Sequence, residues 1–115
     1  MGTSGGINLS DDGLVWEMWG EIDVAVAHEV HATLEAAGDG RKTLDMRRVT
    51  FIDSSGLRLV ILACEDGARP RVVGASSTVR EIFEMMSFDM LVDLVDDDAA
   101  EPSGEQREDV TAGSE

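Results

Sequence analysis

Apolar and polar residues along this chain fall into short stretches of two alternating kinds. In LVWEMWG, residues 14–20, Leu14, Trp16 and Met18 fall on one side, the two-residue period of a half-buried strand. After GEID, the segment VAVAHEVHATLEAAG places Val26, Val30, Leu34 and Ala37 at steps of three and four, and Gly38 follows as a stop, which predicts an amphipathic helix. KTLDMRRVTFI is rich in apolar and β-branched residues, with Leu44 and Met46 alternating with charge, and predicts a strand and its continuation before a break at Asp53-Ser54-Ser55-Gly56. LRLVILAC fits a buried strand or a buried helix by period alone, but the polar DSSG before it and EDG after it read as helix boundaries, so a helix is expected. RPRVVG, 69–74, reads as a short strand behind a proline-bounded turn, and Ser76 and Ser77 open STVREIFEMM, a helix with Val79, Ile82, Phe83 and Met86 on one face. LVDLV, 91–95, suits an edge or closing strand.

The expected order is β-β-α-β-α-β-α-β, a small α/β domain whose helices cover a sheet containing parallel pairs, because neither layer can bury its apolar face alone. Its expected limits are residues 7–95, after a flexible N-terminus at 1–6. From Asp96 onward, DDDAAEPSGEQREDVTAGSE has eight acids, one base and no Leu, Ile, Met or aromatic residue, the composition of a disordered acidic tail at 96–115.

Charge narrows the set of partners. The 115 residues carry a formal net charge of −15. Seven of those charges fall in the tail, so residues 1–95 still carry −8. Nucleic acid and anionic membrane surfaces are therefore excluded as partners, since binding them depends on Lys and Arg neutralising phosphates. With 43% hydrophobic residues there is enough apolar material for a core. No apolar run approaches a membrane span, MGTSGGINLS lacks the basic start and apolar core of a secretory signal, and the lone Cys64 sits in an apolar run, so a cytoplasmic protein is expected.

The most pointed local feature is FIDSSGL, 51–57, a strand-like run ending in a small polar turn ahead of a helix. Asp53 or Ser54 suits an N-cap, which needs no further function. A hydroxyl at such a helix start also lies beside free N–H groups and the positive end of the helix dipole, a place that tolerates phosphate. There a phosphoserine would bring about −1.5 to −2 charges onto an acidic face and change a docking surface while the fold survives.

GEID at 20–23, TLDMRRVTFIDSSGL at 43–57 and VREIFEMM at 79–86 together resemble the STAS domain family, over residues 7–95, and more closely its bacterial anti-sigma factor antagonists. The resemblance implies a STAS-like fold and a partner switch. In that switch the unphosphorylated protein binds an anti-sigma factor serine kinase and frees the sigma factor for transcription. Phosphorylation by that kinase turns the antagonist off, and a serine phosphatase turns it on. By motif match the phosphorylated residue is Ser55, with Ser54 as the fallback, and Asp23, Asp53, Ser54, Ser55, Gly56 and Leu57 form the partner-binding set. Gly56 is expected to leave the backbone beside the hydroxyls uncrowded, and Asp23 also suits an N-cap for the first helix. Ser87 stands where the family often has glycine, and Arg47-Arg48 is more basic than usual. A second reading keeps the fold and makes the chain a constitutive docking subunit of a lipid-transport or signalling complex.

Other constellations fail on spacing. His28 and His31 in HEVH lie three apart, where the zinc-protease motif needs four, and are expected to be surface or flanking helix residues. GDGRKT lacks the G-x-x-x-x-G-K-[ST] spacing of a phosphate loop and reads as a turn. DSSG has Asp53 where the G-x-S-x-G elbow of hydrolases needs glycine, and neither histidine is placed as a base for the serine. No catalytic residue, metal or cofactor is expected, and the chain is read as an interaction protein and not an enzyme.

Overall fold

The computed structural model describes residues 5–38, 40–64 and 67–95; the expected tail at 96–115 and the first four residues of the expected flexible start lie outside them. Five strands, β1 (Gly5–Leu9), β2 (Val15–Ile22), β3 (Thr43–Ile52), β4 (Arg71–Val73) and β5 (Asp93–Val95), form one sheet in the order β1-β2-β3-β4-β5. β1 pairs antiparallel with β2, and every later pairing is parallel. Three helices, α1 (Val24–Glu35), α2 (Ser54–Ala63) and α3 (Ser77–Met85), make the crossovers, and a 3-10 turn at Phe88–Met90 precedes β5. This is the expected mixed α/β architecture.

The strand periods bury what they should. Trp16, Met18 and Ile22 of β2 and Leu44, Met46, Val49 and Ile52 of β3 face a core completed by Val26 and Leu34 of α1, Leu57, Leu59 and Val60 of α2, and Val79 and Phe83 of α3. The indole N–H of Trp16 donates to the Gly13 carbonyl at 3.0 Å, so the largest core side chain leaves no polar atom unpaired. LRLVILAC is helical because its burial follows a helix: Leu57, Leu59, Val60 and Ala63 are buried while Arg58 and Ile61 are exposed.

Two expectations are corrected. The strand begins at Gly5, so Gly5 and Gly6 belong to the domain and not to a flexible start. Gly6 pairs with Trp19 under that residue's ring, where an added Cβ would stand 2.7 Å from Cζ2, so its lack of a side chain serves packing. Met86 does not join the buried face of α3. It is the C-cap residue and half exposed, because Ser87 turns into the left-handed region (φ 62) and ends the helix there. That backbone conformation favours glycine, so serine at position 87 holds a left-handed turn that glycine would adopt without strain.

GDGRKT leads from α1 into β3, which opens at Thr43, and its lysine has structural work. Lys42 is 5% exposed, and its ammonium donates to the carbonyls of Gly38 (2.7 Å) and Gly40 (3.0 Å), closing the connection that follows α1. At the far end of α2, burial pushes the Cys64 thiol above its ordinary pKa despite the opposing charge of Arg69, which keeps it a neutral packing group.

Candidate functional site

The site is built where β2 and β3 end together. Ile22 and Ile52 are register partners at the ends of two parallel strands, both fully buried, and each is followed by an aspartate. Both aspartates leave the strand in extended conformation and cap the next helix. The Asp23 carboxylate accepts from the Val26 N–H at 3.1 Å, and the Asp53 carboxylate accepts from the Gly56 N–H at 3.0 Å. The Asp53 N–H in turn donates to the Ile22 carbonyl at 3.2 Å, tying the two turns to each other. The N-termini of α1 and α2 therefore sit side by side, their positive dipole ends both answered by carboxylates. Asp53→Ala is expected to lower the unfolding free energy by about 1 kcal/mol, read as a lower urea midpoint at unchanged slope.

Because Asp53 is the cap, Ser54 and Ser55 are the first two residues of α2. Ser54 is exposed, and Ser55 is half-buried on the wall of a groove of about 470 Å³ between α1 and α2. Among the described residues the Ser55 hydroxyl has no hydrogen-bond partner. The groove's apolar lining includes Val24, Ala27 and Leu59; its polar members besides Ser55 are His28, His31 and Arg58, and none of its lining residues is an acid. In so acidic a chain that lining stands out. Val24 is 65% exposed, an apolar residue open at the start of α1.

Of the six residues singled out in the sequence, Asp23, Asp53, Ser54 and Ser55 are brought to one end of the sheet. The other two lie inside. Leu57 is 2% exposed and belongs to the core. Gly56 does not provide an open approach to the hydroxyls: it is buried, and a Cβ on it would stand 2.5 Å from the Ile22 carbonyl oxygen and 2.5 Å from Ile52 Cγ1. It lets the first turn of α2 press against the ends of β2 and β3.

Outside the predicted site set, the groove also holds Arg58, which the sequence did not single out, and His28 and His31, which it weighed only as metal ligands or as a base for the serine. As expected, the histidines are surface residues, with His31 Nδ1 3.6 Å from Glu35 Oε1, but they also line the groove. A signal was available, since Val24, Ala27, His28 and His31 repeat at helical spacing just off the core stripe, and Ser55, Arg58 and Leu59 do the same on α2. Among the described residues no cluster of His, Cys, Asp or Glu is arranged to hold a metal, and no helix is long and apolar enough to cross a membrane.

The family model described as "Mlab, STAS domain" matches residues 6–95, nearly all of the described fold. The chain belongs to the STAS domain family. Among solved structures, this STAS domain is similar to the anti-sigma factor antagonist SpoIIAA in its unphosphorylated form, with a TM-score of 0.62 and 20% identity over 80% of this chain and 86% of that one. It is also similar to a Thermotoga maritima protein assigned as an anti-sigma factor antagonist, with a TM-score of 0.57 and 20% identity over 76% of this chain and 81% of that one. At that identity the likeness establishes a shared fold. No curated protein sequence matches this STAS domain.

Proposed function

We propose that this STAS domain is an anti-sigma factor antagonist that docks an anti-sigma factor serine kinase on the paired starts of α1 and α2, and that phosphorylation of Ser55 releases it. The observation that carries this reading is the position of Ser55: on the first turn of α2, half-buried, unbonded, and facing the acid-free groove between the helices. Ser54 is exposed and does not line the groove, which makes Ser55 the residue whose modification changes it. A phosphate there adds about −1.5 to −2 charges at a helix N-terminus, where the dipole tolerates them. Arg58, three residues on, and His28 and His31 across the groove would receive it, so the phosphate would fill space that an unmodified domain offers to a partner side chain. The structural neighbours described as anti-sigma factor antagonists support the reading. In this role the protein works by binding, in the cytoplasm, and a serine phosphatase restores the docking surface.

The test is phosphopeptide mapping of the full chain after incubation with the anti-sigma kinase encoded in the same genome, ATP and magnesium. Phosphate is expected on Ser55, lost in Ser55→Ala and retained in Ser54→Ala. Tight kinase binding without any phosphate would instead support a constitutive docking subunit, and phosphate on Ser54 alone would overturn the assignment.

A further inference from the structure

The corner diagonal to the switch serine carries an exposed apolar cluster of its own. The parallel strands start every helix at one end of the sheet, so α3 runs back and delivers its C-terminus and the 3-10 turn to the end away from Asp23 and Asp53. There Met85 is 78% exposed, Met86 51%, Met90 71% and Leu91 43%, four large apolar side chains within seven residues.

These side chains stand on a braced backbone. The Phe83 and Phe88 rings meet edge to face at 6.1 Å, pinning the 3-10 turn to α3. The Arg69 guanidinium donates to the carbonyls of Met90 (2.6 Å) and Val92 (2.9 Å) and pairs with Asp93, which Arg41 also grips. The cluster is therefore held outward by the fold. The acids Glu81, Glu84 and Asp89 flank the cluster, while Arg41 and Arg69, the cations that reach this end, are engaged by Asp93 and by backbone carbonyls.

We propose that this corner is a second docking site, independent of the α1–α2 groove, for a basic amphipathic helix of a partner protein. Flexible, polarisable methionines accept varied apolar helix faces, and the acids around them match flanking Lys or Arg. A second copy of the chain would set acids against acids and add −15 to −15, and an anionic bilayer would be repelled in the same way. Occupancy of this corner leaves the Ser55 groove open, so the domain can hold one partner while exchanging another.

The test uses the full chain with methyl-labelled methionine and a synthetic Leu/Lys amphipathic helix of about 18 residues in about 0.15 M salt, with a Leu/Glu peptide as control. The methyl signals of Met85, Met86 and Met90 are expected to shift saturably while those of the buried Met18 and Met46 stay fixed. The double variant Met85→Ser, Met90→Ser, exposed at both positions, should weaken the Leu/Lys peptide at least about tenfold. Unchanged affinity in that variant would reduce the binding to attraction by net charge, the acidic tail included, and overturn the proposal. So would equal binding of the Leu/Glu peptide, or methyl signals that do not move.

Discussion

Gly56→Ala is expected to destabilise the domain by about 3 kcal/mol, against the direction that helix propensity dictates. In an exposed helix the same change would add up to about 1 kcal/mol of stability. Here the new methyl would stand 2.5 Å from a backbone carbonyl, that of Ile22, and 2.5 Å from Ile52 Cγ1. The carbonyl belongs to the paired end of β2 and already accepts from the Asp53 N–H, so it has little freedom to withdraw. The first turn of α2 must lift instead, stretching the Asp53 cap and carrying Ser55 with it. Urea unfolding decides the sign. A variant within about 0.5 kcal/mol of the parent would mean that the turn is not clamped and that the glycine serves something other than close packing. A lowered rate of Ser55 phosphorylation in the folded variant would tie the same contact to function.

The second large effect is expected on binding. If the proposed function holds, Ser55→Glu should weaken the complex with an anti-sigma kinase by at least about tenfold, about 1.4 kcal/mol, while Ser54→Glu should stay within about threefold. Both substitutions add one negative charge at the start of α2, where the dipole favours it, so stability should barely distinguish them. They differ in where the carboxylate goes, since Ser55 lines the groove and Ser54 does not. Titration calorimetry on the two variants therefore separates a filled groove from a general charge effect. Equal losses would point to long-range repulsion and away from the groove.

Much of the framework was legible because several elements carry one clear period. The stripe Val26, Val30, Leu34 set α1, and the alternation of Leu44 and Met46 set β3. LRLVILAC was ambiguous by period because nearly every residue is apolar, and its polar boundaries decided it. What stayed hidden depends on neighbours distant in sequence. Gly5 and Gly6 carry no pattern of their own, and their place in the sheet comes from pairing with Gly20 and Trp19. Ser87 conceals a left-handed backbone under an ordinary polar side chain, so the helix appeared one residue longer and Met86 appeared buried. At the site, the capping role of Asp23 and the importance of the DSSG turn were readable from residue type. The inward direction of Gly56 was not, because it depends on Ile22 lying beside Ile52. The histidines were correctly placed at the surface, but the surface they share with Ser55 exists only once α1 and α2 pack together.

The order of strands across the sheet repeats their order along the chain. Each strand therefore joins the one made immediately before it, and every pairing closes a short loop at small entropic cost. A ribosome releasing this chain exports β1, β2, α1, β3 and α2 as a contiguous block, with both aspartate caps and the serine between their helices, before the last two strands appear. Those strands, β4 and β5, are three residues each and arrive with the methionine corner. The order of synthesis thus completes the Ser55 end of the sheet before the opposite corner has emerged.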